Sequence, residues 1–354
     1  MELINATRMV AGYTMGMDPD GREYLVVVVK GTFDIPTDGG EAKLSAEQQP
    51  LIAADTFTGE PGYSAPVYES EYCLTKPKCD VLLIGNAHAP GGKPAPYTRV
   101  RLQVGPIDKT IDVIGNRTWS GRGGSPSDPE PFTVMPISYD RAFGGVDASN
   151  PDKATAYTRN PVGIGYRPLM NEDQLRDQPV PNTQEPGQPI TSPKGGYRPM
   201  SFGPIGRSWA PRLSYAGTYD EAWMEHAFPF LPSDFDNRYF QAAPEDQQFA
   251  SPHGGEVVTL SNLSPEGHES FAIPTIDVPV EYTRVGFERS NPVPVIDTLI
   301  LEPERRCFAM IWRASILLSR NLMEAKQIVV GRMPPGWYRA RAMGKRYLGD
   351  IPRG

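Results

Sequence analysis

At 354 residues, with 39% hydrophobic and 10% aromatic content, the chain is long and apolar enough to bury a sizeable core, which excludes wholesale disorder. A net charge of −7 and a pI near 5.3 argue against nucleic acid as a partner for the chain as a whole. Its 38 prolines and 35 glycines, about a fifth of all residues, cap the length of any helix and point to a mainly β fold. The expected architecture is antiparallel, sandwich-like sheets with long Pro/Gly-rich loops and few short helices.

The first clear element is the run Tyr24–Ile35, whose unbroken β-branched stretch predicts a strand buried on both faces. Asp18-Pro-Asp-Gly21 supplies turn chemistry before it, so Met9–Met17 is the expected hairpin partner. Asp80–His88 reads as a further strand and Ala89–Pro96 as a loop. Tyr97–Val104 and Lys109–Ile114 alternate with the period of half-buried strands.

Residues 121–209 form a loop-rich middle, and Asp177–Pro193 alone carries five prolines. Aromatic residues punctuate this stretch and anchor it to a core, leaving an expected disordered tip near Gln178–Gln188. Beyond it, short helical turns are expected between Thr218 and Phe240. Strands follow at Glu256–Leu263, Phe271–Val285 and Val293–Leu301, then a long central strand or buried hairpin at Cys307–Leu318. Asn321–Ile328 is the best late helix candidate. The organisation read from this pass is one β-rich domain over 1–330, optionally layered as 1–120 and 210–330, followed by a basic tail at 331–354.

That tail holds Arg332, Arg339, Arg341, Lys345, Arg346 and Arg353 against Asp350, so it carries about +5 and leaves about −12 on the remainder. It either lies on the acidic body or meets an acidic partner. No basic-then-apolar leader is visible at the N-terminus, and no stretch approaches the ~18 apolar residues of a membrane span. Three cysteines, Cys73, Cys79 and Cys307, are an odd and sparse set that fits a reducing compartment. The expectation is a cytoplasmic protein with no membrane partner.

Little in the sequence suggests chemistry. His88, His226, His253 and His268 lie at no metal-ligand spacing from one another, and Cys73 and Cys79 have no second pair. There is no Gly-x-Ser-x-Gly elbow, and Gly121-Arg-Gly-Gly124 lacks the phosphate-loop lysine. No catalytic residue, metal or cofactor is therefore expected. The best enzymatic residues are the carboxylates Asp220, Glu221, Glu225, Asp234 and Asp236 beside Trp223 and His226, which a carbohydrate-active enzyme would use as an acid and base pair. The abundant aromatics suit recognition instead. The residues expected to touch a partner are Tyr139, Phe143, Tyr166, Tyr197, Phe202, Trp209, Arg212, Tyr219, Trp223 and Phe235.

Ten segments in order complete the pattern. They are Val28-Val-Lys-Gly-Thr-Phe33, Ala87-His-Ala-Pro-Gly-Gly92 with Val113-Ile-Gly-Asn-Arg-Thr-Trp119, Tyr139-Asp-Arg-Ala-Phe-Gly-Gly145, and Asn160-Pro-Val-Gly-Ile-Gly165. Then come Trp209-Ala-Pro-Arg212, Gly217-Thr-Tyr-Asp-Glu-Ala-Trp223, Leu231-Pro-Ser-Asp-Phe-Asp236, Ala243-Pro-Glu-Asp-Gln247, Asp297-Thr-Leu-Ile-Leu-Glu-Pro303 and Trp312-Arg313. Together, over roughly residues 5–320, they resemble a bacterial family of type VI secretion effector adaptors. The resemblance implies a cytoplasmic, non-enzymatic chaperone that grips a toxin effector and loads it onto the VgrG or PAAR spike. The alternatives are the carbohydrate-active enzyme and a structural component of the secretion apparatus.

Overall fold

The computed structural model describes residues 1–37, 39–120, 125–286, 288–319 and 322–349. The Gly121–Gly124 segment, Asp350 and Arg353 lie outside the described residues. Twelve strands of four or more residues are present among them. In chain order they are β1 (Glu2–Asn5), β2 (Val10–Met17), β3 (Glu23–Asp34), β4 (Cys79–Leu83), β5 (Tyr97–Val104) and β6 (Ile107–Ile114). The remaining six are β7 (Val257–Ser261), β8 (His268–Ala272), β9 (Val280–Arg284), β10 (Val295–Glu302), β11 (Cys307–Leu317) and β12 (Ala325–Val330).

The largest sheet has seven strands, in the order Gln248–Phe249, β4, β10, β11, β3, β2, with Lys43–Leu44 also paired to β3. All its pairings are antiparallel except β4 with β10. A five-stranded antiparallel sheet runs Thr183–Gln184, β6, β5, β7, β8. A four-stranded sheet runs β1, β12, β9, Arg289–Ser290. Both larger sheets draw strands from either side of the loop-rich middle. The layers expected at 1–120 and 210–330 are therefore not separate: β3 pairs with β11 from Tyr24–Leu317 to Asp34–Cys307.

The β-branched run of β3 explains this placement. Its odd residues, Leu25, Val27, Val29 and Phe33, join Phe308, Met310 and Trp312 of β11 and meet Val100, Leu102, Ile111, Val258 and Phe271 of the five-stranded sheet. Its even residues, Val26 and Val28, pack on the opposite face with Leu82, Ile300, Ala309 and Ile311. A strand without polar alternation has two apolar faces to bury, and both are covered.

The second face carries charges as well, and loops close over it. Lys30 donates to Glu71 at 2.6 Å, both side chains being buried. Asp80 accepts from Lys76 at 2.7 Å, from Gln241 Nε2 at 2.6 Å and from the Ala242 amide at 2.8 Å. Arg313 pairs with Asp297 and donates to the carbonyls of Glu71, at 2.7 Å, and Cys73, at 3.1 Å. Proline-rich loops are held in place here by ion pairs and hydrogen bonds in the absence of a regular ladder.

Two expectations are corrected, and the tail takes one of its two expected places. Gln178–Gln188 is not a disordered tip: Pro179–Val180 pairs with Arg117–Thr118, and Thr183–Gln184 forms the edge of the five-stranded sheet with buried side chains. The late helix expected at Asn321–Ile328 is a 3-10 turn at Leu322–Glu324 followed by strand β12. Ile328 and Val330 sit between β1 and β9, and packing on a pleated surface overrides the local helical signal. Within the tail, the helix Pro335–Ala342 seats Trp337 against Ala6, Val329 and Met333. Arg332 pairs with Asp277 at 2.6 Å and Arg341 with Glu2, so these two arginines lie on the acidic body.

The three cysteines are unpaired. No described helix is long and apolar enough to cross a membrane.

Candidate protein-docking surface

The segments quoted above from the sequence interlock. Phe143–Gly144 pairs in parallel with Ile164–Gly165, and Asn160 Nδ2 donates to the carbonyls of Tyr139, at 2.8 Å, and Phe143, at 3.2 Å. A Cβ on Gly144 would stand 2.0 Å from the Asn160 carbonyl oxygen, so only glycine fits. Gly144→Ala should force the two segments apart at a cost of about 1–3 kcal/mol, read as a lower urea midpoint. An unchanged midpoint would remove the close-packing account.

Gln247 bridges the layers. Its Nε2 donates to Val81 O at 2.7 Å and Phe202 O at 2.9 Å, and its Oε1 accepts from Lys109 at 2.6 Å. Arg212 is buried, paired with Glu69, and donates to Ile205 O at 2.7 Å and Tyr239 O at 2.9 Å. These functional-looking residues build a scaffold.

Five of the ten residues expected at a partner interface are therefore core. Tyr139, Phe143, Phe202, Trp209 and Arg212 are all buried. Tyr139 packs edge-on against Trp209 at 5.4 Å, and Phe143 centres an aromatic cluster with Tyr157, Tyr166 and Tyr197 at 5.1, 6.2 and 5.0 Å. Tyr166, Tyr197 and Phe235 are half-buried, Phe235 against Tyr239 and Phe240. A large aromatic beside Gly or Pro in sequence serves inner packing as readily as contact, which is why local pattern alone assigns these residues to the surface.

Tyr219 and Trp223 are different. They belong to an excursion, residues 213–230, that carries the short helix α1 (Glu221–His226) and exposes Leu213, Tyr219, Met224, Phe228 and Phe230. Exposure reaches 54% at Tyr219, 59% at Met224 and 61% at Phe228. Trp223 organises the group. Its ring meets Tyr219 at 4.7 Å and Phe228 at 5.7 Å, both edge-on, and its Nε1 donates to Phe230 O at 2.9 Å. Sequence reasoning missed Met224, Phe228 and Phe230; their clustering around Pro229 was the available signal.

Of the carboxylates of the enzymatic reading, Asp220 and Asp234 serve the backbone of this excursion. Asp220 caps α1 by accepting from the Trp223 amide at 2.9 Å. Asp234 accepts from the Thr218 amide at 3.0 Å and from its hydroxyl at 2.8 Å, and Asp236 pairs with Arg238 at 2.6 Å. The amide and hydroxyl of Thr218 hold the Asp234 carboxyl below its ordinary value, and the Arg238 guanidinium does the same for Asp236. Glu225 is exposed beside His226. Neither Asp234 nor Asp236 is raised toward the range of a general acid.

A cleft of about 800 Å³ lies at the five-stranded sheet, lined by Arg99, Arg101, Asp108, Lys109, Arg198 and Asp246. Each of these charges has a partner, including Arg101 with Asp108 and Arg198 with Asp246. Burial lowers Lys109 from its ordinary 10.5 to about 8, despite Asp246 nearby. Between those values the unfolded chain holds a proton that the folded chain has released, so this group's contribution to stability rises with pH across that window. The difference in unfolding midpoint between wild type and Lys109→Met should move in favour of wild type from pH 8 upward. A difference that stays flat across this window would place Lys109 in a wetter site.

Among the described residues, no three His, Cys, Asp or Glu side chains cluster to hold a metal ion. The sequence model of one family, described as an uncharacterized protein conserved in bacteria (DUF2169), matches residues 20–313. No curated protein and no solved structure matches the chain significantly.

Proposed function

We propose a function for a chain that belongs to the bacterial DUF2169 family: it is a non-enzymatic adaptor that holds a type VI secretion toxin effector in the cytoplasm and promotes its loading onto the VgrG or PAAR spike. The observation that carries the reading is the 213–230 excursion, an exposed aromatic and methionine-bearing patch. Contiguous exposed apolar surface of this kind marks interaction sites, and tyrosine and tryptophan are the side chains that most often dominate their energetics. The acidic Asp220, Glu221 and Glu225 rim it and favour a cargo face that is apolar with a basic margin.

The ion-locked scaffold supports the same reading. A rigid platform avoids ordering costs at the moment of binding. Holding the folded cargo and not its unfolded form stabilises it by about 2.7 kcal/mol at a hundredfold excess over Kd.

The test is co-expression with candidate type VI toxin effectors from the same genome. A stable complex, with effector recovery falling when this chain is omitted, is the expected result. Effector that accumulates equally well alone and fails to co-purify overturns the proposal.

A further inference from the structure

The sheet edges of this protein are unequal. The seven-stranded sheet ends on one side in Gln248–Phe249, only two residues long. The five-stranded sheet ends in Thr183–Gln184, also two residues, and in β8, whose Ala272 is engaged by Gly40 and Ala42 and whose Glu269 pairs with Arg306. The four-stranded sheet ends in Arg289–Ser290, again two residues, and in β1, whose Glu2 is held by Gln327 and Arg341. Short edges, charges and covering loops are how proteins prevent strand addition.

β2 has none of these defences. Its eight residues, Val-Ala-Gly-Tyr-Thr-Met-Gly-Met, contain no charge and no proline, and none of them is buried. One side pairs with β3 along the full length, Val10–Lys30 to Met17–Glu23. Among the described residues, no other backbone bond reaches β2. Tyr13 and Met15 are exposed along it.

We infer that β2 is a docking edge and that its occupant is an extended segment of the cargo, added as a further strand of the seven-stranded sheet. An edge presents alternating N–H and C=O groups over about 26 Å for eight residues at ~3.3 Å each. Only another extended backbone matches that ladder, and main-chain bonding of this kind is an established mode of peptide capture. The inference rests on the adaptor reading above and deepens it by continuity. Gly21, in the turn after β2, lies under Phe230 of the excursion, with a Cβ position 3.2 Å from the ring. A segment paired along β2 therefore runs onto the aromatic patch, giving one surface with a backbone-reading half and a side-chain-reading half.

The experiment is amide hydrogen exchange on the full chain, alone and in complex with the toxin effector that co-purifies with it. Alternate amides within Val10–Met17 should exchange fast in the free chain and at least tenfold more slowly in the complex. Tyr13→Lys with Met15→Lys should weaken the complex at least tenfold at an unchanged unfolding midpoint. A complex that protects 213–230 but leaves β2 amides unchanged overturns this inference and spares the adaptor reading. Absence of any complex overturns both. A free chain that dimerises through β2, with the dimer lost in the same double variant, assigns the edge to a second copy and overturns the cargo assignment.

Discussion

Arg313→Met is expected to cost about 3–5 kcal/mol, seen as a fall of roughly 4–7 °C in the thermal midpoint for a chain of this size. The guanidinium is buried between strand and loop, pairs with Asp297, and satisfies the carbonyls of Glu71 and Cys73. Removing it leaves the buried Asp297 carboxylate without its counter-charge and two carbonyls without donors, and leaving such groups unmade costs more than a typical bond contributes. The companion Asp297→Leu with Arg313→Met removes both charges, so it should recover most of the loss. Of the buried ion pairs under these loops, Lys30–Glu71 and Lys76–Asp80 would remain. Thermal unfolding of the two variants decides this. If the double variant is no more stable than the single, the cost lies in the lost carbonyl contacts and not in an orphaned charge.

Phe228→Ala is expected to weaken the effector complex by roughly thirtyfold, about 2 kcal/mol, with a thermal midpoint close to wild type. Phe228 is largely exposed and is supported on one side by the Trp223 ring, so truncation removes contact area without opening the core. Trp223→Ala should lose binding too, but by a different route. It also releases Tyr219 and the Phe230 carbonyl, so 213–230 should show faster amide exchange in the free chain. Titration calorimetry on the purified complex measures the first effect. Affinity unchanged by Phe228→Ala would move the docking surface away from the excursion.

Secondary structure was legible wherever a strand's own residues specify its environment. The unbroken Leu25–Val29 run announces two buried faces, the alternation of Tyr97–Val104 announces one, and Asp18–Gly21 announces the hairpin between β2 and β3. The motif residues were legible as important but not for what they do. Lys30, Asp297 and Arg313 look like surface charges one at a time, and become a buried network only when loops 45–78 close over the sheet. The helix expected at Asn321–Ile328 gives way to strand β12 because the partners of that strand, β1 and β9, lie elsewhere in the chain.

The sequence by itself determined that this is a β-rich, loop-heavy, acidic chain, because periodicity, proline spacing and charge are local properties. Only the tertiary structure decided that Phe143 is core while Phe228 faces solvent, and that β2 lies at an open edge while β3 sits mid-sheet. The physical reason is that exposure and edge position depend on which distant segments pack nearby. A residue's neighbours in sequence hold no record of that packing.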